Sequence, residues 1–136
     1  MKDKELKFQL ALGTISEEDL IKIAKETTSK EILTTLSKNE ENYIRAYVVQ
    51  NSNVPIEALT ILSKDEETYI RIGVAQNTNT PVEVLTKLSK DKKWIVRYWL
   101  AKNKNTPVDI LNKLSTDEEG TVRNSAGQAL LDKGII

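Results

Sequence analysis

Pro55, Pro81 and Pro107 stand 26 residues apart, and the residues around them recur with them. Four copies superimpose: Thr28–Asn53, Val54–Asn79, Thr80–Asn105 and Thr106–Leu131. Leu33, Leu59, Leu85 and Leu111 coincide, as do Leu36, Leu62, Leu88 and Leu114. Arg45, Arg71, Arg97 and Arg123 form a further matched row. A fixed period of this length marks stacked units, each burying its apolar face only against its neighbours. The chain is therefore expected to be one all-α domain, 1–136. Its expected architecture is an α-solenoid of four 26-residue helix–turn–helix repeats (28–53, 54–79, 80–105, 106–131). Residues 1–27 would form an N-terminal helical cap and 132–136 a tail.

Each unit opens on a helix-start signal. In Thr80-Pro81-Val82-Glu83 the threonine is a good N-cap, proline suits the first helical position, and the acid can close a capping box. Thr106-Pro107-Val108-Asp109 repeats it. Thr28-Ser29-Lys30-Glu31 keeps the box without proline, and Val54-Pro55-Ile56-Glu57 keeps proline without the hydroxyl. Apolar residues at 84, 85 and 88, and at their equivalents, then form one stripe. A polar turn follows, carrying Asn39, Asp65, Asp91 or Asp117. The second helix is best seen in Tyr69–Asn77, where Ile70 and Val74 face inward. Small residues at Val49, Ala75, Ala101 and Gly127 suggest close helix approach. Asn51, Asn77 and Asn103 are expected to end these helices in the left-handed conformation. In the cap, a helix over Lys4–Leu12 should close at Gly13, and Ser16-Glu17-Glu18-Asp19 should start another that runs to about Lys25. A helix extended through Ala126–Lys133 should end at Gly134.

The chemistry open to this chain is narrow. It has no cysteine and no histidine, which removes thiol catalysis, disulfides, the commonest general base and the commonest metal ligand. Acid pairs such as Glu66/Glu67 lie in turns and read as solvated charges. No enzyme activity, cofactor or metal is expected. No run is apolar and long enough for a membrane span, and Met1–Leu12 does not read as a signal peptide. The expected setting is cytoplasmic.

The run Val96-Arg97, Ala101, Asn103, Thr106-Pro107, Ile110-Leu111 resembles the leucine-rich repeat variant family of bacterial helical repeats. Arg71, Ala75, Asn77, Thr80-Pro81 and Val84-Leu85 carry the likeness again. It covers roughly residues 29–129. The period here is slightly longer than that family's usual one, the difference falling in the turn between helices. Some members hold an iron–sulfur module on a cysteine cluster, which a cysteine-free chain cannot inherit. The Asp-then-Val-Arg pattern also resembles HEAT-type repeats. Both resemblances imply right-handed stacking of helical pairs, and neither implies an activity.

The arginine row reads as a structural ladder. In HEAT-like arrays such an arginine pairs with an acid in the preceding turn of its own or a neighbouring unit. Asp65, Asp91 and Asp117 would supply that acid, with Asn39 breaking the series. Function is sought where the copies differ. Six of the seven aromatics (Tyr43, Tyr47, Tyr69, Trp94, Tyr98 and Trp99) lie at variable positions of the second helices. Together with Ile72, Gln76 and Lys102 they make a candidate partner-binding ribbon, since aromatics anchor interfaces. Trp99 and Tyr47 lie nearer the core side of the helical wheel.

The formal charge of zero hides a pattern. Thr80–Asn105 carries seven basic and two acidic residues, whereas the repeats on either side each sum to −2. Lysines beside indole rings suit an acidic peptide, a phosphate or a stacked base. The expected function is a non-catalytic protein–protein interaction scaffold whose partner is a protein or peptide, acidic by preference. The alternative is nucleic-acid binding of the HEAT-like kind. Trp94, Trp99, Arg97 and Asp91 superficially echo alkylpurine-type DNA glycosylases. A duplex binder, however, normally spreads its basic residues over several units. Self-association would also cover exposed aromatics.

Overall fold

The computed structural model describes residues 2–136, which hold ten helices and no strand. They are α1 (Asp3–Leu12), α2 (Glu17–Glu26), α3 (Lys30–Leu36), α4 (Asn42–Gln50), α5 (Ile56–Leu62), α6 (Thr68–Gln76), α7 (Val82–Leu88), α8 (Trp94–Lys102), α9 (Val108–Leu114) and α10 (Gly120–Asp132). Helices of seven residues alternate with helices of nine from α3 to α8. None is long enough to be stable alone in water, so packing must hold each one. The chain forms two compact units that divide between Leu62 and Ser63, inside the second sequence repeat.

In unit 1, α2 packs on α4, and α3 packs on both α4 and α5. Its core is Ala24, Ile32, Leu33, Ile44, Val48, Ala58 and Leu59, all sealed from solvent. In unit 2, α8 lies between α6 and α10, with α7 and α9 packed alongside. Ile70, Val74, Val96, Leu100, Leu111, Val122 and Ala126 fill that core. The apolar stripes at helical spacing are the residues buried. Among the described residues no helix is long and apolar enough to cross a membrane.

The helix starts differ from the sequence reading by one residue. The N-caps of α7 and α9 are Pro81 and Pro107, in extended conformation, and their carbonyls accept from the Leu85 and Leu111 amides at 3.0 Å. Thr80 and Thr106 therefore cap nothing ahead of them. Their hydroxyls turn back and donate to the Val74 and Leu100 carbonyls of the preceding helix, at 2.7 Å in both cases, and both threonines are buried. Because α7 and α9 start one residue later, at Val82 and Val108, each threonine stands outside the helix ahead, and its hydroxyl serves the unpaired carbonyls of the helix behind it. Ser29, rather than Thr28, caps α3 by accepting from the Ile32 amide. Ser16 caps α2 through the Asp19 amide.

The asparagines also act otherwise than expected. Asn51, Asn77 and Asn103 have φ between −75° and −70°, and no non-glycine residue among those described has positive φ. Their work is done by the side chain. The Asn103 Nδ2 donates to the carbonyls of Ala75 and Asn77 at 2.8 and 3.0 Å, while its Oδ1 accepts from the Asn105 amide. Asn51 repeats this in unit 1, reaching the carbonyls of Ala24, Lys25 and Thr27. Each buried asparagine thus ties the end of its own helix to the end of the helix one repeat earlier. The terminal helices end as expected at Gly13 (φ 67°) and just before Gly134 (φ 75°), the left-handed positions that favour glycine.

Gly127 departs from the small-residue reading. A Cβ placed there meets no heavy atom within 4 Å, so crowding does not require glycine. Gly127→Ala should raise stability by about 0.5–1 kcal/mol through helix propensity. Thr106→Val should lower it by about 1 kcal/mol by removing one buried hydrogen bond. Urea unfolding of both variants checks the two signs together.

Candidate interaction surface

The arginine row comes first because it fixes how α8 is presented. The Arg97 Nε and Nη2 grip both oxygens of Asp117, at 2.7 and 3.0 Å, and Arg71 grips Asp91 in the same way at 2.8 and 3.2 Å. Of the two places expected, its own unit or a neighbouring one, the carboxylate comes from the turn of the neighbouring, following repeat, 20 residues on. What the preceding turn supplies is backbone: the Nη1 of Arg45, Arg71, Arg97 and Arg123 donates to the carbonyls of Asn39, Asp65, Asp91 and Asp117 respectively. Each gripped aspartate also accepts from the amide two residues on, Lys93 or Glu119. Arg45, Arg71 and Arg97 are buried, and Arg123 is exposed.

Two opposing effects set the Asp117 carboxyl. Burial would raise it, but hydrogen bonds from Arg97 and the Glu119 amide, with the charges of Arg97 and Arg123, outweigh burial and hold it below its ordinary 3.8. The hydrogen bond to Asp117 in turn raises Arg97, against the pull of burial.

With Val96, Arg97, Leu100 and Ala101 turned inward, α8 presents Trp94, Tyr98 and Lys102 along its outer side, at i, i+4 and i+8. Trp94 is 42% exposed and meets the edge of Tyr98, with ring centroids 6.3 Å apart. Tyr98 meets half-buried Trp99 at 5.2 Å, again edge-on. The Lys102 Nζ lies 5.5 Å from the Tyr98 ring centre. Three rings and a cation therefore form one continuous surface on a single helix.

The unit 1 aromatics are engaged differently. The Tyr43 hydroxyl donates to the Glu17 carboxylate at 2.6 Å, and the Lys25 Nζ sits 4.7 Å above the Tyr47 ring. Both side chains are half-buried against α2. The Glu17 hydrogen bond, aided by partial burial and by the Glu17 and Glu41 charges, pushes the Tyr43 hydroxyl up to about 12. In the sequence Glu17 and Lys25 mark only the start and end of a cap helix; the signal for their contact with the tyrosines is the period itself, since Glu17 lies 26 residues before Tyr43. Tyr69 is 48% exposed in unit 2, Gln76 is exposed and Ile72 half-buried, all on α6. The α8 residues are joined by ring contacts into a cluster.

Among the described residues no group of three or more acidic or metal-ligating side chains could hold a metal ion. A shallow cleft of about 520 Å³ beside Arg97 is walled by Asp91, Asp117 and Glu118 as well as by Lys90 and Lys92, and its arginine is already paired. Comparison with family models, curated proteins and solved structures gives no match to this chain.

Two measurements follow. The Arg97 and Asp117 side chains are each only 9% exposed, so Asp117→Asn should cost about 3–5 kcal/mol in urea unfolding. The depressed carboxyl contributes in full above its ordinary 3.8 and loses its contribution as pH falls through the folded value. The acid unfolding limb of Asp117→Asn should accordingly be flatter than that of the natural chain. Ultraviolet titration should show one tyrosine ionising near pH 12, moving back towards 10 in Glu17→Gln. Because the folded value is raised, any linked stability is present below 10 and lost as pH rises through 12.

Proposed function

We propose that this chain is a non-catalytic binding scaffold of the helical-repeat type. It would belong with the leucine-rich repeat variant and HEAT-like arrays, its helical pairs stacking right-handedly in four 26-residue repeats. The binding element is the outer side of α8, and the partner is an acidic protein segment. The observation that carries the reading is the Trp94–Tyr98–Lys102 row: an exposed indole, a second ring and an ammonium group held in line on a helix whose opposite side is buried. Large rings give contact area with little entropy to lose, and neighbouring lysines select carboxylates. Lys90, Lys92 and Lys93 in the turn before α8 add to this positive field and are all exposed. Arg97 is not part of the offered surface, because Asp117 already holds it.

Both tryptophans of the chain lie in α8, so intrinsic emission reports on this surface directly. Titration with synthetic peptides that combine aspartate or glutamate with leucine or phenylalanine should give a saturable change in emission. Tyr98→Ala and Lys102→Glu should each weaken the response by roughly tenfold. Duplex and single-stranded oligonucleotides at low salt serve as the competing class. A response to oligonucleotides and none to peptides would replace this reading with nucleic-acid binding.

A further inference from the structure

Unit 2 contains its own template for what covers a second helix. On α8 the side bearing Arg97 and Ala101 is covered by α10, and Asp117 from that next repeat fills the arginine fork. The matching side of α10 bears Arg123 and Gly127, one period later, with Leu131 a further turn along. Among the described residues no carboxylate lies within ion-pair distance of Arg123, whose Nη1 donates to the Asp117 carbonyl at 2.6 Å. Gly127 has open space around it, and Leu131 is 54% exposed. This stripe at i, i+4 and i+8 is thus a repeat-docking face with its arginine fork unfilled.

Unit 1 offers a complementary surface. There α2 packs on α4 by one side, and its other side borders a cleft of about 710 Å³ between α1 and α2. The cleft is lined by apolar Leu6, Ile15 and Ile23 and, among the described residues, by Asp3, Asp19 and Glu26 against one cation, Lys22. Asp19 lies in the first turn of α2, as Arg123 lies in the first turn of α10.

We infer that the Arg123–Gly127–Leu131 face of one copy docks into the α1–α2 cleft of a second copy, with Asp19 taking the fork that Asp91 and Asp117 take elsewhere in the chain. The contact joins two different surfaces, so it is heterologous in kind. It leaves the aromatic side of α8 out of the contact and does not depend on the proposed ligand of that side.

The test is sedimentation of the full chain from about 10 µM to about 1 mM, the range in which small heterologous contacts associate. The expected result is an average mass that rises with concentration above that of the monomer. Facing like charges should weaken the association by roughly 100-fold in Arg123→Glu and in Asp19→Lys. Mixing these two variants should restore it, because the reversed charges then meet. Circular dichroism of each variant should match the natural chain, since both side chains are exposed. A natural chain that stays monomeric throughout, or an Arg123→Glu chain that associates like the natural one, overturns the inference.

Discussion

A helix of seven residues has more backbone groups unpaired at its ends than paired within it. This chain places such helices at α3, α5, α7 and α9, and it buries what surrounds them. The structure therefore depends on polar side chains that reach the spent carbonyls at helix ends. Asn103 reaches back one repeat to the end of α6, Thr106 closes the end of α8, and Arg97 holds the backbone of its own turn. No buried side-chain nitrogen or oxygen among the described residues is left without a partner. The apolar rows supply the driving force for packing. The polar rows decide which packing is acceptable, because an unmade buried hydrogen bond costs more than a made one contributes.

Much of this was legible in the sequence. The period, the alternation of short helices, the apolar rows and both glycine stops could be read directly, since they follow from local spacing and backbone geometry. The errors share one physical cause. Thr80 and Asn103 were assigned to the nearest backbone by rules for local capping, whereas their side chains serve carbonyls behind them in the chain. For Arg97 the repeat pattern left open whether the acid came from its own or a neighbouring unit, and the carboxylate is the neighbour's, 20 residues ahead. A side chain's direction is set by the packing of neighbouring helices, and one sequence read alone does not contain it. Recurrence of a polar residue at a fixed period marks a job repeated in each unit without saying which neighbour it serves.

The aromatic ribbon shows the same limit. Spacing alone put Tyr43/Tyr47 and Trp94/Tyr98 on equal terms, as pairs four residues apart. Their surroundings separate them. In unit 1 the tyrosines meet Glu17 and Lys25 of α2, which spend their polar handles inside the molecule. On α8 the rings meet one another, and the lysine beside them belongs to the same helix. That difference is why the candidate surface contracts from a ribbon of nine residues to one helix.

If side-chain clasps between successive helical pairs are the controlling interaction, Asn103 is the place to test it, because its amide serves two carbonyls one repeat away and one amide of its own turn. Urea unfolding of Asn103→Ala, compared with exposed Asn112→Ala as a surface reference, gives the decisive difference. The account predicts that Asn103→Ala loses more than about 2 kcal/mol, while the reference changes by less than about 0.5 kcal/mol. Equal losses in the two variants would contradict it.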